Sequence, residues 1–270
     1  MRDIFFILIL TSLLISCERV IDYKLDSSDP VIVIEGTLTD SKEPFTVTIT
    51  KTAPYFGNSE STLVSGAQVS VKVDNGKKHY FTEISPGIYQ FGKNFAAPKN
   101  WYTLYVEYEG ITYTARSYLN ESVPLVDCTV TYFEGYGFFD SGYKINCFIK
   151  DPPNVENYYR IKMYVNNKVV NNDGEVDVYS DKLFDGKVIG LVQNSSVVFN
   201  ENDTVVVEVQ SIDKAAYNYF STLESISGLE IIESASPSNP ISNFDNDALG
   251  YFSAYSFDRR TIIIANYINN

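Results

Sequence analysis

The chain has 270 residues, a formal net charge of −13 at pH 7 and a hydrophobic content of 44%. This hydrophobic content excludes a disordered chain, and the negative charge argues against nucleic acid or anionic lipid as a partner because both would repel it. The chain has 21 Tyr and 17 Phe but only two Met, which favours strands over helices. A single His leaves little room for histidine-based catalysis.

A short apolar run opens the chain. Residues 4–15 are almost entirely apolar, and this length is well below the ~20 residues that a transmembrane helix needs. The sequence LLISC, which ends at Cys17, has the pattern of a bacterial lipobox, with a branched apolar residue at −3 and a small residue at −1. We therefore predict a lipoprotein signal peptide over residues 1–16 and acylation, including palmitate, at Cys17. An ordinary signal peptide and an uncleaved anchor are the alternatives.

A polar segment follows the predicted cleavage site. Residues 17–29 contain several charged residues and no long apolar run, which indicates a tether. Extended at about 3.4 Å per residue, this tether would hold a folded body about 40 Å from the lipid. The folded body is therefore expected to begin at residue 30.

Residues 30–120 show the pattern of a β-sandwich, with short alternating runs separated by turn residues. Asp74-Asn75-Gly76 and Glu109-Gly110 are typical hairpin turns. The predicted strands are Val31–Thr39, Phe45–Thr52, Gln68–Val73, His79–Ile84, Gly87–Phe91, Trp101–Tyr108 and Ile111–Tyr118. Seven strands in about 90 residues match the size of an immunoglobulin-like or prealbumin-like sandwich.

Residues 121–270 are predicted to form a second β domain, after a boundary at the sequence NESVP. Its predicted strands are Asp127–Phe133, Tyr143–Lys150, Tyr158–Asn166, Val188–Phe199, Thr204–Ile212 and two more within Tyr251–Ile264. Apolar residues spaced three or four apart predict one amphipathic helix near residues 214–227, with Asp213 as its N-cap and Gly228 as its end. The predicted fold is therefore all-β, with two β-sandwich-like domains and one short helix.

Cys128 and Cys147 lie on consecutive predicted strands. If the connection turns near residues 137 and 138, the two cysteines face each other. Facing β-carbons are ~4.5–5.5 Å apart and a disulfide needs about 3.8 Å, so a bond is feasible in an exported protein. Two buried free thiols remain the alternative, because a register slip of one residue would turn one sulfur to the other face.

The connection between these strands also carries an aromatic tip. Tyr136, Phe138 and Phe139 lie beside glycines, and such a tip is hard to bury within its own sheet. We therefore predict a contact loop there, although the tip could instead fold over the domain junction. A wider aromatic platform for sugar or peptide would add Trp101, Tyr102, Tyr132 and Phe133.

Five segments resemble one known family. They are Val33–Thr39, Gly66–Val69, Pro86–Tyr89, Asp151-Pro152-Pro153 with Asn157-Tyr158-Tyr159, and Leu249–Phe252. These segments, in this order, resemble a family of outer-membrane lipoproteins of the Bacteroidota called domain of unknown function 4249. The similarity covers nearly the whole mature chain. The resemblance implies a two-part β protein at the outer membrane, commonly encoded beside TonB-dependent receptors. Family members tend to have Gly-Gly where this chain has Asp245-Asn246-Asp247, which puts any glycine-dependent role of that loop in doubt.

No catalytic residue, cofactor or metal is predicted. No serine lies in a Gly-x-Ser-x-Gly elbow, and no phosphate-binding glycine loop is present. His79 is expected to be an exposed strand-end residue, and Asp151-Pro152-Pro153 is expected to shape a strand exit. Residues 173–177 and 243–247 have oxygen ligands at alternate positions, as calcium loops do, but they lack a closing glutamate and are interpreted as solvated turns.

The expected function is a non-catalytic binding or accessory protein, anchored by lipid in the outer membrane on its cell-surface or periplasmic face. The resemblance implies an outer-membrane β-barrel as its partner, such as a TonB-dependent receptor. A stand-alone adhesin or ligand-capture protein is the alternative. A hydrolase that uses two unidentified carboxylates ranks third, because the sequence selects no pair.

Overall fold

The computed structural model describes residues 29–53, 61–137, 140–165, 168–170, 176–192, 197–229 and 239–268. The calcium-like residues 173–175 and the predicted tip residues Phe138 and Phe139 lie outside these ranges, as does Cys17. The described chain is mostly β, as predicted, and its strands form three sheets. In chain order the first nine strands are β1 Ile32–Thr39, β2 Phe45–Lys51, β3 Thr62–Leu63, β4 Gln68–Val73, β5 Lys78–Tyr80, β6 Thr82–Ser85, β7 Ile88–Phe91, β8 Asn100–Tyr108 and β9 Ile111–Leu119.

The second half contains the remaining strands and two helices. They are β10 Leu125–Phe133, β11 Gly142–Lys150, β12 Tyr158–Val165, β13 Lys168–Val169, β14 Asp177–Ser180, β15 Val188–Val192, β16 Thr204–Ile212, α1 Lys214–Leu229, β17 Leu249–Ile263 and α2 Ala265–Ile268. A short 3-10 helix, Asp181–Leu183, precedes β15. Helix α1 runs through Gly228, so the expected glycine stop lies inside its last turn.

A ten-stranded sheet runs through both halves of the molecule. Its main order is β13-β12-β16-β17-β1-β2-β7-β6, with β14 beside β12 and β3 beside β2. A four-stranded sheet, β5-β4-β8-β9, covers the N-terminal part of this long sheet, and a three-stranded sheet, β10-β11-β15, covers the C-terminal part. Two β-sandwiches therefore share one long sheet.

Each sandwich has its own hydrophobic core. Strands of both sheets contribute to each core because alternate residues on a strand point to the same face. The N-terminal core includes Ile34, Val47, Ile49, Val71, Tyr102, Leu104, Val106 and Phe252. The C-terminal core includes Cys128, Cys147, Ile149, Tyr159, Ile161, Met163, Leu191, Val207 and Ile262.

One predicted strand is in fact two. The stretch 79–84 divides at Phe81, whose N–H donates to the carbonyl of Val69. Strand β5 before it pairs with β4 in the small sheet, and β6 after it pairs with β7 in the long sheet. Apolar Tyr80 and Phe81 are adjacent here, as are polar Thr82 and Glu83, so the alternation breaks at the crossover where a single strand was predicted.

Strand β17 is a single strand of 15 residues where two were predicted. Its first half pairs in parallel with β1, from Val33 opposite Leu249 to Thr39 opposite Tyr255. Its second half pairs antiparallel with β16. Residues that follow the predicted boundary at 121 therefore complete the N-terminal core, and these are Phe244, Ala248, Phe252 and Ala254.

Helix α1 packs on the outer face of the long sheet. The Asp213 carboxylate caps it as predicted, accepting a hydrogen bond from the Ala216 N–H at 2.9 Å. Ala216, Tyr219 and Phe220 bury against Tyr158 and Ile212 in a third, smaller core. Within the part of the chain that the structure describes, neither helix has the length and apolar character needed to span a bilayer.

Candidate functional site

The register of the strands gives the molecule two distinct ends. Strand β1 begins at Ile32, close to residue 29, where the predicted tether would join the body. Strand β17 starts beside the beginning of β1 and runs away from residue 29 for 15 residues, or about 50 Å at ~3.3 Å per residue. We call the end at residue 29 the tether end.

Several connections meet at the opposite end. Ile262, near the end of β17, pairs with Val205, which in turn pairs with Val165 at the start of the β12–β13 connection. The N–H of Ile264 donates to the carbonyl of Asp203. Tyr143, at the start of β11, exchanges backbone hydrogen bonds with Phe199. The β10–β11 connection therefore lies at the far end as well.

Exposed apolar side chains gather on these connections. The exposed fraction is 84% for Tyr136, 59% for Tyr132, 50% for Val169, 43% for Ile263 and 38% for Tyr267. We call these five residues the distal surface. Exposed aromatic and aliphatic residues on adjacent elements are typical of a site that contacts another molecule.

The predicted aromatic tip is part of this surface. Tyr136 is its most exposed member, and Tyr132 contacts Tyr143 edge to face with ring centroids 5.1 Å apart. Phe133 is half-buried, with the Lys144 ammonium 4.3 Å from its ring centroid. The two other proposed platform residues are elsewhere: Tyr102 is buried in the N-terminal core, and Trp101 lies at the junction of the sandwiches. One continuous aromatic platform is therefore not formed by the described residues.

Cys128 and Cys147 face each other across β10 and β11. Both are buried free thiols with their sulfur atoms 3.5 Å apart. The contact with Cys128 and burial raise the pKa of Cys147, so this thiol stays protonated at neutral pH. A disulfide requires the two sulfurs to approach to about 2.05 Å. The predicted disulfide therefore stays a prediction, and the facing geometry on which it depends is present.

A groove lies between the two sandwiches on one side. It has two adjoining parts of about 440 Å³ and 410 Å³, which share Tyr118 and Asn120 as lining residues. Trp101 forms part of its wall, with the Arg116 guanidinium 4.2 Å from its ring centroid. Lys99 and Glu121 form an ion pair of 2.8 Å at its rim.

Three carboxylates meet behind this groove. Asp151, Asp181 and Asp185 bring one oxygen each within 4.8 Å of one another, and the first two are buried. Asp151 accepts hydrogen bonds from the Tyr159 hydroxyl and the Gly186 N–H. Burial raises the pKa of Asp181. Oxygen ligands of this kind suit calcium or magnesium.

The sequence did not reveal this acidic cluster. Asp151 was interpreted only as part of a strand exit, and Asp181 and Asp185 belong to a connection about thirty residues later. The two connections meet because of the strand pairing. The end of β14 lies beside the start of β12, and the start of β15 lies beside the end of β11. No local spacing encodes such a contact.

The calcium-like stretch 243–247 has another use in the structure. Asn243 exchanges two hydrogen bonds with the backbone of Phe252. The Asp245 carboxylate accepts from the Thr114 N–H at 2.6 Å, and the Asn246 amide donates to the carbonyl of Thr112. These hydrogen bonds hold the loop against β9 and β17.

The expected exposure of His79 is wrong, because its ring is half-buried against Phe91 and Phe95.

Comparisons with known proteins complete the description. The structure has a weak likeness to the chicken CNTN1 FN1–FN3 domains, with a TM-score of 0.27 and 14% identity over 68% of this chain and 60% of that chain. A two-domain fibronectin type III segment of chicken tenascin gives a TM-score of 0.20 and 16% identity over 68% of this chain and 91% of that chain. TM-scores this low support no argument about function. A search of curated proteins found no sequence relative. The sequence profile described as "Domain of unknown function (DUF4249)" matches residues 18–261, so the chain belongs to this family.

Proposed function

We propose that this protein is a lipid-anchored accessory subunit of the outer membrane, which binds a β-barrel protein, such as a TonB-dependent receptor, through its distal surface. The anchor is the predicted acylated Cys17, and the partner is the one that the family resemblance implies. The carrying observation is the position of the exposed apolar residues at the end opposite residue 29.

The dimensions of the chain fit this arrangement. A body about 50 Å long, on a tether that reaches about 40 Å, can stand or lie beside a barrel in the same membrane. A body that lies beside the barrel can bring its distal surface against the loops of the barrel. The two sandwiches share one sheet, so a force or contact at the distal surface acts on a single body.

We propose that the protein acts without catalysis. The family carries no assigned reaction, and the acidic cluster is the one group of three converging carboxylates in the described ranges. Two of its three members are buried and hold backbone or phenol donors. A glycosidase needs carboxylates that reach a substrate, and these face the protein interior.

Stand-alone ligand capture is the second candidate function. The separation between the tether end and the distal surface also favours ligand capture, because the distal surface points away from the tether end. In that case the bound molecule would be a soluble or surface ligand, and no barrel would be required.

Photo-crosslinking separates the two candidates. A benzoylphenylalanine is placed at Tyr136 in the distal surface or at Ile111, which is 47% exposed near the tether end. After irradiation of intact cells, the protein is purified in mild detergent through a C-terminal tag. The accessory proposal predicts a cross-link to an integral outer-membrane protein from position 136 and none from position 111.

Three outcomes would change this proposal. A cross-link from position 136 to a soluble or extracellular molecule would support ligand capture. A barrel cross-linked only from position 111 would move the contact to the tether end. Recovery of the uncrosslinked protein from both positions would contradict the accessory function.

A further inference from the structure

Three basic side chains lie together on the outer face of the long sheet. Arg160 and Lys162 are two residues apart on β12, so they point to the same face. Lys162 pairs with Glu208 on β16, and Glu208 pairs with Arg259 on β17. Neighbouring strands are about 4.8 Å apart, so Lys162 and Arg259 lie on either side of Glu208 within about 10 Å. We call Arg160, Lys162 and Arg259 the basic cluster.

The acid at the centre of this cluster is already neutralised. Glu208 is 1% exposed, and it accepts a hydrogen bond of 2.5 Å from the Arg259 Nε. The Gln210 amide donates to the other oxygen of the same carboxylate. A buried carboxylate with a charged partner and a second donor has its charge fully matched. Both oxygens of Glu208 are therefore hydrogen-bonded to Arg259 and Gln210 and not to Lys162.

Arg160 is held in place by aromatic residues. Its guanidinium lies 3.8 Å from the ring centroid of Phe220 on α1, and it contacts the Tyr251 hydroxyl. These contacts orient the guanidinium but carry no negative charge at neutral pH, because burial raises the pKa of Tyr251. The positive charge of Arg160 is thus fixed on this face without a carboxylate partner.

Lys162 is the unmatched member of the cluster. Among the described residues, its ammonium has neither an ion pair nor a hydrogen bond. Burial, Arg160 and Arg259 together lower the pKa of Lys162 to about 8, and the charge of Glu208 opposes this shift. Two other acids act on this region: Glu43, on the connection between β1 and β2, acts on Tyr164 and Arg259, and Glu35 on β1 acts on Tyr251 beside Arg160. A half-buried cation is therefore held beside other cations in a protein whose net charge is −13.

Two phenols lie on the same face of the sheet as this cation. Tyr164 follows Lys162 on the same face of β12, and Tyr255 is on the same face of β17 as Arg259. Burial raises the pKa of both phenols, so both remain protonated and can donate a hydrogen bond. Cations together with neutral O–H donors are the groups that bind an oxyanion.

We propose that the basic cluster binds a small oxyanion group, a carboxylate, sulfate or phosphate, with Lys162 as its principal partner. The bound anion would pair with the Lys162 ammonium, which no carboxylate of the described residues contacts. This proposal does not depend on the distal surface, which lies at the end of the sandwich and not on the outer face of the sheet.

The ammonium of Lys162 can report binding directly. Reductive methylation with ¹³C-formaldehyde labels each lysine without removing its charge, and the Lys162 signal is assigned by its loss in Lys162→Met. Titrations are run in sodium chloride and then with sodium phosphate, sulfate or acetate at the same ionic strength. The expected result is a saturable shift of the Lys162 signal with an increase of about one unit in its pKa. The anion that gives the largest shift identifies the preferred ligand group.

Variants complete the test. Lys162→Met should weaken anion binding about tenfold, measured by calorimetry, and Lys162→Arg should retain it. Lys77→Met is the matched control, because it removes one exposed positive charge from the β4–β5 turn of the small sheet, which covers the opposite face of the long sheet, and should leave affinity unchanged. An unshifted Lys162 signal in all three anions would overturn the proposal. Equal weakening by Lys77→Met would do the same, since the effect would then come from net charge alone.

Discussion

The Asp213 carboxylate joins the two sandwiches through Tyr118. One of its oxygens accepts a hydrogen bond of 2.9 Å from the Tyr118 N–H on β9, and the other caps α1. The Asn120 amide donates to the carbonyl of Ile212, and the Val123 N–H donates to the Ser211 hydroxyl. The segment between the domains is therefore bonded to the end of β16 along its length, which makes the junction rigid.

Replacing Asp213 should loosen this junction. Asp213→Asn removes the charge and leaves one of the two N–H donors without its acceptor, which should cost about 2 kcal/mol of unfolding free energy. Chemical unfolding at neutral pH checks this value. Lys214→Ala next to it is the control, because it removes only an exposed ion pair with Glu156 and should cost less than about 1 kcal/mol.

The effect of Asp213 should depend on pH. Burial raises the pKa of Asp213 above its value in the unfolded chain, about 3.9. The folded state therefore binds the proton more tightly, and acidification toward that value stabilises the wild type relative to Asp213→Asn. The stability difference between the two proteins should grow between neutral pH and about pH 4. A difference that is independent of pH would contradict the raised pKa.

Gly250 allows β17 to approach β1. Its φ is +96°, and an added Cβ would lie 2.1 Å from the carbonyl oxygen of Ile34. Gly250→Ala should therefore break the parallel pairing and prevent stable folding, a loss above about 4 kcal/mol. Gly66→Ala is the matched control, because Gly66 has a φ of +82° with open space around it and should lose only about 1–2 kcal/mol. Thermal unfolding of the two variants separates backbone strain from the collision with Ile34.

The loop before β17 should accept glycine. Asn246 and Asp247 have φ values of +53° and +58°, in the left-handed region where glycine is favoured. Asn and Asp are the non-glycine side chains that tolerate this conformation best. Asp247→Gly should keep or slightly raise the melting temperature. Asp247→Val should lower the melting temperature, with a loss of about 1–2 kcal/mol of unfolding free energy. Equal melting temperatures for the two variants would refute this role of the backbone.

Cys128 and Cys147 should form a disulfide in the exported protein. Non-reducing mass analysis should show a loss of two hydrogens from the mature chain. Closing a loop of this size should stabilise the oxidised protein by about 3 kcal/mol, which a chemical unfolding series with and without reductant measures. Two free thiols in protein purified from the cell envelope would reject the bond and leave the pair as core fillers.

Cys17 should be the anchor. Cys17→Ser should abolish incorporation of labelled palmitate and release the protein from the membrane fraction. Unchanged membrane retention would instead indicate that the apolar run 4–15 stays uncleaved as an anchor. Cys128→Ser serves as the control for cysteine loss and should leave labelling unchanged.

The strands, the helix and the facing cysteines could be predicted because each depends on residues that are close in the sequence. The strands β1, β2, β4, β8, β9 and β16 follow period-two alternation, and helix α1 follows its 3–4 spacing with Asp213 as the cap. The opposition of Cys128 and Cys147 followed from the length of a single connection. Each of these features depends on residues close in the chain, so the sequence contains the information directly.

Contacts between distant segments could not be predicted in this way. The parallel pairing of β17 with β1 joins residues more than 200 positions apart, and the acidic and basic clusters each combine strands or connections that carry no shared spacing. By itself the sequence determined the all-β class and the helix, because periodicity and capping are local, and the lipid anchor stays a prediction from the equally local lipobox. Only the tertiary structure decided that one long sheet unites the two sandwiches and where charged and aromatic side chains converge, because sheet order depends on long-range burial.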